Sequence, residues 1–166
     1  TEILKLVAER NLPEIPENRE EIKKILQEEI YGFMPPAPDE ITFSEDKVID
    51  TRFPARAVLR RMYAHVSIGE AFNIPFYTAF HTDGKKRPFF IHNNFRPNTP
   101  DIYMPVEEIL DNDFDLLSLC YTDVTSDDGD FTTGLADIFI GSEPRKADTC
   151  GKIILWAWAA MRVMDY

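Results

Sequence analysis

The stretch "FDLLSLCYTDV", Phe114 to Val124, is a near-continuous apolar run that ends in an acid-rich loop. A segment of strand length with almost no polar alternation suits a strand buried on both faces of a parallel sheet. Its exit, "YTDVTSDDGDFTTG" (Tyr121 to Gly134), carries four carboxylates (Asp123, Asp127, Asp128 and Asp130) and two glycines. Immediately upstream, "PVEEILDND" reads as a short helix, with Pro105 at the first helical position and Glu107 and Glu108 in the first turn. Downstream, "ADTCGKIILWAWAAMRVMDY" reads as a helix apolar on most of its circumference. Cys150, Ile153, Ile154, Ala157, Met161 and Met164 form one stripe, with Leu155, Trp156, Ala159 and Val163 beside it, and such a helix is expected to be buried on more than one side.

The segments before Phe95 have a different chemistry. "EITF" is short and alternating. "ARAVLRRMYAHVSI" places Val58, Met62, Ala64, Val66 and Ile68 on one side, with Arg61, His65 and Ser67 on the other. "AFNIPFYTAF" alternates through Phe72, Ile74, Phe76, Thr78 and Phe80, with Pro75 on the opposite face, which points to an edge position or a bulge. "SIGEAFN" and "HTDGKKRP" are hairpin-like turns, the second leading into "PFFIHNNF". Nearer the N-terminus, "NREEIKKILQEEIYG" is a helix capped by Asn18, with Glu21 three residues on, Gly32 at its end and "PPAP" barring continuation. "TEILKLVAERN" is left as a short helix or an arm. The order is an antiparallel β-meander passing into a parallel βαβα unit, a mixed sheet with flanking helices. A single α/β domain over residues 1–166 is expected, with an N-terminal helical arm at 1–38 and the sheet and helices at 39–166.

At 166 residues, 44 % of them apolar and twelve of them Phe, the chain is long enough to bury about 70 % of its unfolded surface. A net charge of −11 with no basic stripe argues against nucleic acid and against an anionic membrane surface as partners. No apolar run approaches the roughly 18 residues of a spanning helix. Neither Cys120 nor Cys150 belongs to a CxxC, so two buried thiols are expected and no metal or cofactor is called for. The chain opens "TEILK" without a Met, which leaves cytoplasm and secretion both open, the former favoured for want of a leader pattern.

The run from Asn18 onward resembles the N-terminal half of an α/β-hydrolase. Within that group it is similar to bacterial carbohydrate esterases of the acetyl-xylan and glucuronoyl type. The residues that carry the likeness are "EEIYGFMPPAP", "NNFRPN", "DVTSDDGDFTTG" and "GKIILWAWAAMRVMDY". The resemblance implies a serine carboxylic-ester hydrolase acting on carbohydrate or other small esters. In such enzymes a further strand and a G-x-S-x-G elbow follow the last helix, with the acid and the His later in the chain. Ser44, Ser67, Ser118, Ser126 and Ser142 all lack that context, so the nucleophile is absent and this portion alone is expected to be inactive. The resemblance further implies that the loop after "PFFIHNN" supplies an oxyanion donor, with Asn93, Asn94 and Phe95 as candidates.

The acidic loop has three readings. Placing Gly129 at position 6 of an EF-hand puts Val124 at position 1 and Leu135 at position 12, which fails at both ends, although an irregular calcium site stays open. A bare solvated turn is the second reading. The third, preferred here, is a substrate rim at the C-terminal end of a parallel strand, where Asp123, Asp127, Asp128 and Asp130 accept hydrogen bonds from sugar hydroxyls. A non-catalytic calcium- or sugar-binding module is the alternative to the esterase. His65, His81 and His92 are expected to be structural, and Trp156 and Trp158 to be core packing. A sheet edge and an apolar helix left uncovered would favour self-association.

Overall fold

The computed structural model describes residues 18–166 apart from 52, 54, 55, 142, 143 and 147. Its centre is a five-stranded sheet: β1 (Glu40–Asp50), β2 (Ala57–Ser67), β3 (Ala71–His81), β4 (Phe89–Asn94) and β5 (Asp115–Cys120). The spatial order is β1-β2-β3-β5-β4. The first three strands form the meander, β5 returns antiparallel to β3, and β4 runs parallel to β5 at the far edge. The helix α1 (Arg19–Leu26) precedes the sheet, α2 (Val106–Asp111) crosses between β4 and β5, and α3 (Gly134–Phe139) and α4 (Lys152–Met164) follow β5. All six residues of β5 are buried, as its unbroken apolar sequence requires.

Register assigns each side chain to a face, because strand side chains alternate with period two. Met62, Ala64, Val66, Ile74, Phe76, Leu117 and Leu119 face α3 and α4 and form the larger core with Leu135, Leu155, Trp158 and Val163. On the opposite face, Leu59, Ala79 and Leu116 lie in one register row and pack beneath Val106 and Leu110 of α2. The next row on that face is polar: Arg61, Tyr77, Ser118 and His92 stand side by side across β2, β3, β5 and β4. Pro75 pairs with Tyr63 just beyond the last β3–β5 pair, Phe76 with Leu119, so its missing N–H falls where β3 has lost one neighbour.

Two readings are adjusted. The strand expected at "EITF" continues to Asp50, bulging between Glu45 and Lys47 and again between Val48 and Asp50. Its charged half is held by cross-strand ion pairs of Glu45 with Arg60 and Asp46 with Arg61, which a search for apolar alternation does not register. The main buried face of α4 is the neighbouring row, not the leading stripe: Leu155, Ala159 and Val163 are buried together with Trp158, whereas Ile153, Met161 and Met164 are 57 %, 41 % and 53 % exposed. A helix apolar all round carries no phase in its sequence, so packing decides the buried face. The reading of "TEILKLVAERN" lies outside the described residues.

The segment after α1 is docked, not loose. A π-helical turn, Gln27–Tyr31, ends at Gly32, whose φ is 80°. A Cβ there would come within 2.3 Å of the Thr149 carbonyl oxygen, so only glycine fits this close approach. The Gly151 N–H donates to the Tyr31 carbonyl at 2.8 Å, and Trp158 Nε1–H donates to the Pro36 carbonyl at 2.8 Å. "YGFMPP" is thereby fastened along the start and middle of α4.

Candidate functional site

Parallel β4 and β5 end on the same side of the sheet, so the loops that leave them share one rim. After β4, the buried Asn94 organises the turn: its Oδ1 accepts from the Arg96 N–H at 3.1 Å and its Nδ2 donates to the Asn98 carbonyl at 3.4 Å. Asp101 accepts from the Tyr103 N–H at 2.9 Å and from the Arg96 guanidinium at 3.2 Å, and these donors hold its carboxyl below the usual range. Arg96 also lies 4.4 Å from the Tyr103 ring centroid. Beneath the loop, the Tyr77 hydroxyl donates to the Pro97 carbonyl at 3.3 Å. Burial pushes the Tyr77 phenol up, with Arg61 pulling it back. The tip is apolar and open: Phe95 is 77 % exposed and Ile102 88 %. Asn93 is exposed, and among the described residues none accepts from the Phe95 backbone N–H.

The acidic loop is built around its own cation. Lys152, at the start of α4, is only 8 % exposed, and its Nζ donates to Ser126 Oγ at 2.9 Å, Asp128 Oδ1 at 3.0 Å and the Asp130 carbonyl at 2.5 Å. Ser126 Oγ and the Asp130 N–H also donate to Asp128 Oδ1, at 2.8 and 2.9 Å. Ser126, Asp130 and Lys152 together lower the Asp128 carboxyl to about 2. Asp130 Oδ1 accepts from the Thr132 N–H and hydroxyl at 2.9 and 2.7 Å, which lowers that carboxyl too. Gly134 closes the loop at φ 59°, where a Cβ would come within 2.2 Å of the Val124 carbonyl oxygen. Lys152 Nζ thus neutralises Asp128 from within the fold.

The four carboxylates do not act as one cluster. Asp128 and Asp130 are engaged within the loop, and Asp127 is exposed beside them. Asp123 belongs to a different neighbourhood, with Arg61 and Tyr77. It keeps contact with solvent, yet the surrounding protein raises its carboxyl above the usual range, with Arg61 opposing.

Two elements of the rim were not read in the sequence. Tyr121 contacts aromatic rings on either side, tilted against Phe95 at 5.3 Å and edge-on to Trp156 of α4 at 5.2 Å. Trp156 is therefore a half-exposed partner of the rim, while Trp158 is core at 1 % exposure. The spacing W-A-W placed the two rings on different sides of α4, a distinction visible only once the helix has a phase.

His65 has unexpected company. Its Nε2 is 2.8 Å from Ser44 Oγ and its Nδ1 is 2.7 Å from Asn73 Oδ1, while Ser67, the serine nearest in sequence, does not bond it. Asn73 as acceptor fixes the proton on Nδ1 and leaves Nε2 to accept from Ser44. Asn73 stands where a triad has its carboxylate, and a neutral amide cannot stabilise an imidazolium as a carboxylate does. Ser44 lies on an exposed strand face, not on a strained turn. His81 is structural: its Nδ1 and backbone N–H meet Asp115 Oδ1 at 2.7 and 2.9 Å. Ser118 is buried within β5, Cys120 and Cys150 are buried free thiols, and Ser142 lies outside the described residues.

No family model matches the chain, and no curated protein matches it. Solved structures do. A glucuronoyl esterase from Solibacter usitatus superposes with a TM-score of 0.74 at 21 % identity, over 90 % of this chain and 47 % of its own. A CE15 glucuronoyl esterase from Teredinibacter turnerae T7901 gives 0.72 at 19 % identity, over 90 % and 41 %. A promiscuous CE15 esterase from a marine bacterial metagenome gives 0.66 at 16 %, over 90 % and 47 %. The chain thus spans about half the length of the solved structures it matches. The likeness is one of fold: a mixed sheet of the α/β-hydrolase type, antiparallel strands followed by a parallel pair, with helices on its faces.

Proposed function

We propose that this chain is the N-terminal portion of a serine carboxylic-ester hydrolase acting on carbohydrate esters, and that it is inactive by itself. The observation that carries this reading is the shared rim of β4 and β5. An apolar-tipped loop with an unclaimed Phe95 N–H stands there beside a carboxylate-bearing loop. The esterases among the solved neighbours support the same reading.

In this scheme the Phe95 N–H, on a turn fixed by Asn94, donates to the oxyanion that develops as a serine alkoxide adds to the ester carbonyl. That serine and its base come from residues beyond this chain, on a parallel strand at the free edge of β4. Asn93 and the exposed Asp127 face substrate hydroxyls at the rim, whereas Asp128 and Asp130 shape it. Asp123 is the fourth rim carboxylate, raised by burial beside Arg61. The described residues are taken as one unit. We also propose that the bare β4 edge and the outer stripe of α4 lead copies of this chain to associate at high concentration. A strictly monomeric sedimentation profile would overturn that part.

The test of inactivity is p-nitrophenyl acetate hydrolysis by the 166-residue chain, with fluorophosphonate labelling alongside. We expect no turnover above buffer and no labelled serine. Turnover that disappears in Ser44→Ala, the serine best placed beside a histidine, would overturn the proposal.

A further inference from the structure

Between the acidic loop, the turn Gln27–Tyr31 and the start of α4 lies a groove of about 330 Å³, within the size range of small-ligand sites. Its walls include Tyr31, Phe131, Trp156, Arg145 and Asp127. The groups differ in how far they are committed. Lys152, at the base, already donates to three oxygens and lies 4.8 Å from the Phe131 ring centroid. Arg145 lies 4.0 Å from the same centroid, so the ring holds its planar fork at the groove wall. Among the described residues no carboxylate is within ion-pair distance of Arg145. Tyr31 is 38 % exposed and Trp156 half-exposed, so aromatic surface remains open.

The charges lining the groove balance: Lys152 and Arg145 against Asp127 and Asp128. A carboxylate or phosphate ligand finds no net attraction there. A purely apolar one would desolvate Asp127 and Arg145 without giving them a partner, at a cost for each. A ligand with one apolar face and a ring of hydroxyls meets both demands. Its C–H face lies on Tyr31 or Trp156, and its hydroxyls donate to Asp127 and accept from Arg145. We propose that this groove binds a neutral pyranose unit of a polysaccharide. The choice of a sugar rests on the carbohydrate reading above and goes beyond it in naming the site and the charge of its ligand. The Tyr121 ring touches both Trp156 and Phe95, so the groove adjoins the β4–β5 rim, and on the reading above the bound unit is a neighbour of the esterified sugar.

The test is calorimetric titration of the 166-residue chain with xylotetraose, a neutral probe, and with tetragalacturonate, an anionic one. We expect saturable binding of xylotetraose in preference to tetragalacturonate. Tyr31→Ala and Arg145→Ala, both at exposed positions, should each weaken it about tenfold, equivalent to about 1.4 kcal/mol, with unchanged melting curves. Arg145→Gln, which keeps a donor, should lose less. Absence of saturable xylotetraose binding, preference for the anionic probe, or wild-type binding by both alanine variants would overturn the proposal. Serine-dependent hydrolysis by the chain would remove the incomplete-hydrolase reading and leave the groove standing. Wild-type binding by both variants with no hydrolysis would do the reverse.

Discussion

The two loops of the rim solve opposite problems. The acidic loop, from Tyr121 to Gly134, turns its polar groups inward on Lys152, and its anchors are buried or saturated. The loop after β4 is secured only at its base, by Asn94 and Asp101, and displays Phe95 and Ile102 to solvent. One is finished by residues of this chain. The other leaves its apolar tip uncovered among the described residues. An acid-rich sequence is therefore an incomplete guide to where a ligand goes, since Asp128 and Asp130 are already engaged within the loop while Asp127 stays exposed.

If this contrast holds, substitutions in the acidic loop should cost stability and those at the other loop's tip should not. The largest effect is expected from Gly134→Ala, which forces a Cβ against the Val124 carbonyl at a left-handed φ. A loss of about 3 kcal/mol, seen by calorimetry as a fall of roughly 6–12 °C in Tm, is the expected outcome. Lys152→Met should lower Tm by roughly half as much, because Ser126, Asp128 and the Asp130 carbonyl lose a shared donor. Carbon-13 titration of Asp128 gives the same contrast a pH axis. Its carboxylate adds stability above the unfolded pKa near 3.8, and that contribution disappears as pH falls through about 2. In Lys152→Met the midpoint should move up toward 3.8. Asn94→Ala, which removes the acceptor for the Arg96 N–H, should cost about 1 kcal/mol in denaturant melts. Phe95→Ala should change stability by less than about 0.5 kcal/mol. A large loss there would mean that the tip is already packed and the contrast is false.

Much of the fold was legible because it depends on short-range pattern. "DLLSLC" has no polar alternation to expose, and it is buried throughout between β3 and β4. Asn18 caps α1 through the Glu20 N–H as its position suggested. The site was less legible because its bonds are long-range. Lys152 is 26 residues from Ser126 and sits in a helix that otherwise reads as core, so nothing local marks it as the loop's cation. Ser44 and His65 are 21 residues apart on antiparallel strands, and only the β1–β2 register brings them together. Asp123 shares a loop with Asp127 and Asp128 yet, on the turn Tyr121–Asp123, its raised carboxyl is set by burial and opposed by Arg61. The buried face of α4 was set by its neighbours, and with it the division of labour between Trp156 and Trp158.

The free edge of β4 has a practical consequence at the bench. Its outward N–H and C=O groups, flanked by Phe89 at 41 % and Phe90 at 51 % exposure, form a template for any passing strand. What keeps molecules of charge −11 apart is mutual repulsion. Salt shortens the reach of that repulsion from about 10 Å at 0.1 M to about 3 Å at 1 M. If copies pair along this edge as proposed, raising the salt should increase association, and dilute, low-salt storage is the gentler treatment.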